Sequence, residues 1–464
     1  MKIFFCFLAA ILFTLTQWLY ATFGVVSFEQ LIFHLYVPIS GTDPKIIWKS
    51  CLYIPLGIFL LSFIFIKAMQ IKWIKKYAFL YAAGLNIAAC LFFCFRLSVF
   101  SYVWYTFSEP SSFYETYYTV PQKQHNTVTK KPKNLILIYA ESIENTYTMT
   151  DFFPENLLPK LSERAAKQVS FKGFFHVEGT QWTTAGMVST LCGIPMKKLS
   201  KRKDHNKTAQ IQQASLLPSA YCVPDFLHDH GYQTFYLTGS DITFGAIGAF
   251  IDSHSFDDYF DLIKYGKENI TKETKGLWGF NDRTLFRLAR KELSRLAQSD
   301  KPFFLMMNTI DSHHPDGFVD QTCPTKYGDF KDVVLCTDQQ IDSFMTWIEQ
   351  QPFYKETVII VLGDHVAMKN TLYKTLLKNN QREVFNLFIN SSLSKPSDRP
   401  FTSFDLAPTI LEAVGFPLAS NQFGLGISLF SDKKTLLQKF SYQEIDAELK
   451  KPSIFYTSLF QEKD

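Results

Sequence analysis

A glutamate, an Asp-His pair and two adjacent threonines are the side chains in this sequence whose types suit phosphoryl chemistry on a metal ion. Glu141 follows the apolar segment NLILIYA, and Asp364 and His365 close ETVIIVLGDH far downstream. Between them, GTQWTTAGMVSTLCGIP (residues 179–195) offers Thr183 and Thr184 just ahead of a stretch, 185–191, with helical character. A hydroxyl at a helix N-terminus sits where free backbone N–H groups and the positive dipole end stabilise phosphate. A metal ion activates such a hydroxyl by favouring its alkoxide. On this segment alone, either threonine serves equally well as a plain N-cap. The acid-rich tips change that balance, because two carboxylates, an imidazole and a threonine oxygen form an N/O set suited to Mn2+ or Zn2+.

These side chains need elements that bring them together. Residues 135–139 and 358–362 are short, uninterrupted apolar runs, of the kind that form strands buried on both faces of a parallel sheet. Two further runs repeat the pattern: 303–307 is followed by Asp311, His313 and His314, and 232–237 by Ser240 and Asp241. Helix-like stretches at 282–297 and 338–350 lie between them. The alternation predicts a doubly wound, mostly parallel α/β domain. In such sheets the ligand crevice lies beyond the carboxyl ends of the strands, where Glu141, Asp364 and His365 fall.

The first third of the chain has a different character. The 464 residues include 46 Phe and are 16% aromatic, high for a soluble enzyme. Residues 3–23, 51–66 and 77–100 are apolar stretches close to the roughly 17–25 residues that span a bilayer as a helix. Lys67, Lys72, Lys75 and Lys76 cluster between the second and third, which puts that loop in the cytoplasm by the positive-inside rule. Everything from about residue 101 is then expected outside it. The first stretch is longer than a signal-peptide core and has a poor cleavage site, so it is read as a retained membrane helix. Residues 28–38, with Glu29 and His34 among large apolar side chains, read as an amphipathic packing element, with an interfacial role as the alternative. The expected organisation is a helical membrane domain at 1–100, a periplasmic linker at 101–133 and a catalytic domain at 134–464.

Cys6, Cys51, Cys90 and Cys94 lie in the apolar third, and Cys192, Cys222, Cys323 and Cys336 in the exported part. Proximity in sequence favours Cys192 with Cys222 and Cys323 with Cys336 in an oxidising compartment. A formal net charge of +4, without a basic stripe carrying interleaved aromatics, argues against nucleic acid as a partner.

Ala140-Glu141-Ser142, the Thr183 segment, Ser312-His313-His314-Pro315 and Gly363-Asp364-His365, in this order, resemble the alkaline phosphatase and sulfatase superfamily. WGFND (residues 278–282) and FDLAPTILEAVG (residues 404–415) add support, and the resemblance covers roughly 134–429. Within that superfamily the chain resembles the membrane-anchored branch of lipoteichoic acid synthases and phosphoethanolamine transferases, and most of all the phosphoglycerol transferase I family. The resemblance implies an alkaline phosphatase type of sheet, with Glu141, Thr183, Asp364 and His365 as metal ligands and Thr183 as nucleophile; Thr184 stays a rival. It implies His313 as the group that holds phosphate or protonates the leaving alkoxide, with His314 beside it. Trp278 and Asp282 are implied as contacts for the glycerol or head group, and Glu144 as a surface or supporting residue.

His365 is the last histidine of the chain, so the further downstream histidine of phosphoethanolamine transferases has no counterpart, and one divalent metal is expected: Mn2+, with Zn2+ and Mg2+ as alternatives. The implied reaction moves phosphoglycerol from a phospholipid donor, phosphatidylglycerol, to a periplasmic glycan or glycolipid through a phosphothreonine, at the bacterial inner membrane. The alternatives are phosphoethanolamine transfer to lipid A or another glycan, and a non-catalytic membrane-anchored binding protein.

Overall fold

The computed structural model describes residues 1–37, 42–121, 132–197, 215–391, 393–394 and 396–461. The chain divides into two compact units: Met1–Phe33 with Thr42–Ser108, and His34–Gly41 with Glu109–Asp464.

Three helices of the first unit, α1 (Lys2–Phe23), α2 (Pro44–Ala68) and α3 (Ala78–Arg96), are long and apolar enough to cross a membrane. Helix α1 packs against both others. Its buried face is small, with Cys6, Ala9 and Ala10 at the contact, and Asn86 of α3 donates to the Phe5 carbonyl at 2.7 Å. Phe59, Phe63 and Ile64 of α2 point outwards and stay exposed, a face that suits hydrocarbon better than water. Helix α2 starts well ahead of the apolar run at 51–66, because Asp43 caps the Lys45 N–H at 2.8 Å and Pro44 occupies the first turn. The third stretch is broken near its end, where Ser98 adopts φ 54° before a short helix at Val99–Thr106. Residues 28–38 contain the helix Phe28–Tyr36.

The second unit is built on six strands: β1 (Asn134–Ala140), β2 (Gln233–Thr238), β3 (Asp258–Phe260), β4 (Phe303–Asn308), β5 (Thr357–Gly363) and β6 (Asn386–Ile389). Their order is β3-β2-β4-β1-β5-β6, parallel throughout except for β6, which runs antiparallel to β5. Every residue of β4 and β5 is buried, as is β1 beyond Asn134, so the apolar runs are central strands covered on both faces. Register decides which strand ends meet. Ala140 pairs with Gly363 across β1 and β5, and Tyr139 pairs with Asn308 across β1 and β4. The residues just beyond these pairs therefore leave the sheet side by side.

Five helices of this unit matter for the site: α4 (Thr183–Cys192), α5 (Val223–Asp229), α6 (Asp282–Leu296), α7 (Phe330–Glu349) and α8 (Leu406–Val414). Helix α7 begins at Phe330 and not near 338, since Asp329 caps the Lys331 N–H at 2.9 Å and starts the helix earlier. The disulfides are Cys192–Cys222 and Cys323–Cys336, as proximity predicts. The first joins the C-terminus of α4 to the N-cap of α5.

Part of the stretch expected as a linker is built into this unit. Ser111 donates its N–H to the Pro452 carbonyl at 2.8 Å, and Tyr114 is buried against Tyr456, ring centroids 5.2 Å apart. Residues 122–131 of that stretch lie outside the described residues.

Candidate active site

Glu141, Asp364 and His365 lie at the tips of β1 and β5 because Ala140 and Gly363 are in register. Their ligand atoms fall within 4.8 Å of one another, and all three residues are buried. His365 Nε2 is 3.4 Å from Asp364 Oδ2 and 3.6 Å from Glu141 Oε1. Its Nδ1 donates to the Val366 carbonyl at 2.9 Å, which turns Nε2 towards the acids.

Backbone geometry aims the carboxylates. Ser142 follows Glu141 in the left-handed region, φ 59°, and from there its N–H donates to Asp364 Oδ1 at 2.8 Å while its hydroxyl donates to Glu141 Oε1 at 2.7 Å. The His365 N–H also donates to Asp364 Oδ1, at 2.9 Å. Asp364 Oδ2 is left buried and, among the described residues, without a hydrogen-bond partner. An orphaned carboxylate oxygen facing an imidazole nitrogen and a second carboxylate is the arrangement that a divalent cation satisfies.

The electrostatics agree. Burial, with the Glu141 charge added, pushes Asp364 up to about 7. For His365 burial pulls downwards, and the charges of Asp364 and Glu141 overcome it and raise the imidazole. The Asp364 carboxyl, held beside a second acid in one dry box, thus keeps a proton that a cation would replace.

The two threonines separate cleanly. Thr183 is the first residue of α4 and partly exposed, and its hydroxyl makes a long contact to Glu141 Oε2 at 3.4 Å. Thr184 is buried, and its hydroxyl is committed to the Gly245 carbonyl. Only Thr183 faces the acidic cluster. Helix α4 reaches this place through Gly186: a Cβ there would stand 2.3 Å from the Asp364 carbonyl oxygen.

His313 is half-buried above the β4 tip. Its Nδ1 donates to the His314 carbonyl at 2.8 Å, and its ring lies 4.1 Å from that of Trp278. His314 is buried, and burial holds its imidazole well below the usual range, so it stays neutral. The Ser312 hydroxyl donates to the Glu141 carbonyl at 2.6 Å and ties the His313 loop to the β1 tip.

These residues lie in a segment, 133–416, that matches the Sulfatase family model over more than half of the chain. The chain belongs to the sulfatase family. Similar curated proteins include phosphoglycerol transferase I of Salmonella paratyphi B and of Escherichia coli, each 33% identical over 329 residues, which is 68% of this chain and 41% of theirs. The chain thus spans about two fifths of the length of these relatives. Among solved structures, an alkaline phosphatase superfamily protein from Vibrio parahaemolyticus aligns with a TM-score of 0.53 at 21% identity, covering 72% of this chain and 77% of that one. A lipoteichoic acid synthase from Listeria monocytogenes aligns with a TM-score of 0.51 at 18% identity, covering 68% and 79%. The sheet and its flanking helices are therefore of alkaline phosphatase type.

Within this sulfatase domain, Asp282 is the first residue of α6 and is buried. Its carboxylate is turned inwards, accepting the N–H groups of Ile310 at 2.8 Å and Asp311 at 3.1 Å, and it is 1% exposed. Both bonds go to the loop that carries His313, which the first turn of α6 faces. Trp278 is also mostly covered, packed between Phe244 and His313. Glu144 is fully buried in an ion pair with Arg382 and accepts the Ala367 N–H at 2.9 Å. Sequence reasoning gave no role to Ser142, Ser312, Gly186 or Arg382, although the first three stand within the quoted motif segments. His176 likewise had none; its ring nitrogens are buried without partners among the described residues, and burial, with Arg382 and His365 nearby, lowers it to about 3.

Proposed function

We propose that this sulfatase-family chain transfers phosphoglycerol from phosphatidylglycerol to a hydroxyl of a periplasmic glycan, through a phosphothreonine at Thr183. The observation that carries the reading is the placement of one partly exposed helix-N-terminal hydroxyl, Thr183, against the buried Glu141–Asp364–His365 cluster. Similarity to proteins named phosphoglycerol transferase I supports the transferred group, and three membrane-length helices support a lipid donor confined to a bilayer.

Glu141, Asp364 and His365 would hold one divalent ion, Mn2+ in our reading, with Thr183 as the fourth ligand. Such an ion supplies Lewis acidity, lowering the cost of ionising a hydroxyl and screening the phosphate charge. The Thr183 oxygen attacks phosphorus while its proton, which already faces Glu141 Oε2, passes to that carboxylate. The bond from phosphorus to the diacylglycerol oxygen breaks, and that oxygen takes a proton from His313 Nε2. His313 then accepts the proton of the incoming glycan hydroxyl as it displaces Thr183, and Glu141 returns a proton to the threonine. Trp278 holds the His313 ring, and free N–H groups at the start of α4 receive phosphate oxygens.

The test uses the full chain in detergent with head-group-labelled phosphatidylglycerol and Mn2+. Wild type should release diacylglycerol and label the tryptic peptide containing Thr183. Release of diacylglycerol by Thr183→Ala at the wild-type rate would refute the nucleophile, and use of phosphatidylethanolamine alone would refute the donor.

A further inference from the structure

Two buried aspartates lie behind His313 and grip each other's backbone. The Asp282 carboxylate accepts the N–H groups of Ile310 and Asp311, and Asp311 Oδ2 accepts the Asp282 N–H at 2.9 Å. Asp282 is the first residue of α6, whose N-cap is Asn281, and Trp278 lies on the same approach to the helix. Asp311 stands two residues before His313, and its carbonyl accepts the Phe318 N–H at 2.6 Å. The reciprocal bonds therefore fix the loop that carries His313 relative to the segment that carries Trp278, whose rings meet at 4.1 Å.

From this arrangement we infer that Asp282 and Asp311 are positioning residues for the transfer reaction: their mutual clasp sets where the His313 ring stands on the loop that Ser312 ties to the β1 tip. The inference rests on the role given to His313 in the proposed reaction. Fold stability alone explains the pair poorly. Both carboxyls are at least nine-tenths buried, no cationic side chain is among their hydrogen-bond partners, and Asp311 Oδ1 is without a partner among the described residues. Burying two acids this way is costly compared with an apolar contact of the same size. Its structural return is orientation, since three backbone N–H groups are held at defined places on both sides of one short loop.

The experiment combines kinetics with a chemical footprint on the full chain in detergent. Asp282→Asn keeps the shape and loses one acceptor oxygen. With labelled phosphatidylglycerol it should lower kcat by about tenfold to a hundredfold and leave KM within roughly twofold, as a small misplacement of a reacting group does. Introduced into His313→Ala, it should add little, because residues acting through one group are non-additive. Independently, diethyl pyrocarbonate should modify His313 at least about fivefold faster in Asp282→Asn than in wild type once the ring loses its support, normalised to the surface residue His228. Asp282→Glu serves the same comparisons if the asparagine variant does not fold. An equal loss of kcat in the His313→Ala background, or an unchanged modification rate at His313, overturns the clasp. Should wild type release no phosphoglycerol, the proposed function falls, and the modification rates alone decide the clasp.

Discussion

Gly186 and Asp364 touch through their main chains, and this contact sets the distance between the Thr183 helix and the acidic tip of β5. A Cβ at 186 would stand 2.3 Å from the Asp364 carbonyl oxygen, so the helix approaches as closely as it does only because the residue lacks a side chain. Exchange of glycine for alanine in a helix interior ordinarily stabilises by about 1 kcal/mol. Here Gly186→Ala should instead destabilise by about 1–3 kcal/mol through overpacking, and lower transfer by about a hundredfold by shifting Thr183. Thermal denaturation and the labelled-lipid assay read the two effects, and a stabilised, active variant would show that the contact is slack.

The two threonines should behave as opposites. Thr183→Ala is expected to abolish transfer with a melting temperature close to wild type, because its hydroxyl is at the site and partly exposed. Thr184→Val should keep transfer measurable but cost about 1–3 kcal/mol, since it leaves the Gly245 carbonyl without its donor. Urea denaturation beside the activity assay separates them, and reversed phenotypes would move the nucleophile to Thr184.

Asp364 gives a pH dependence of defined sign. Burial and the Glu141 charge raise it from 3.8 to about 7. The folded, metal-free chain then binds this proton more tightly than the unfolded chain, so its stability falls as pH rises from about 4 to about 7. Ligation needs the carboxylate, so Mn2+ affinity should climb across the same interval, by about tenfold per pH unit for each proton displaced. Calorimetric titration between pH 5.5 and 8 is the measurement, and a flat affinity would contradict the assigned ligand set. Chelation at pH 8 should lower the melting temperature more than at pH 6.

Arg382 and Glu144 brace the loop beyond His365. Arg382 Nε donates to Glu144 Oε1 at 3.0 Å and its Nη2 to the Ala367 carbonyl at 2.8 Å. Arg382→Ala strands a fully buried carboxylate and should cost about 3–5 kcal/mol. The paired change Glu144→Met with Arg382→Leu should recover much of that loss, which denaturation midpoints test directly.

The central strands were legible because they carry almost only apolar side chains, and the acids at their ends stood out against that background. The disulfides followed from short separations. What sequence reasoning missed depends on distant partners. Nothing beside Asp282 shows that its carboxylate will meet Ile310 and Asp311, so a family motif pointed it towards substrate. Thr183 and Thr184 are neighbours of identical type, and only the orientation of α4 over Gly245 and Glu141 tells them apart. Arg382 lies outside every motif, and its partner Glu144 comes into reach only once β5 and β6 have paired.

The pairing of Ala140 with Gly363 has one more consequence. Because β5 is apolar on both faces, sliding it by one residue along β1 would bury side chains of the same kind and leave the core nearly as oily as before, although every side chain changes face. The acidic tip would be carried about 3.3 Å along the strand. Glycine at 363 is what forbids the slip, since any side chain in its place would meet the Ile143 carbonyl, with a Cβ only 2.0 Å away. A single-residue insertion in β5 would therefore leave a chain that still collapses around its sheet yet never assembles a catalyst, which makes strand alignment the step of folding at which activity is decided.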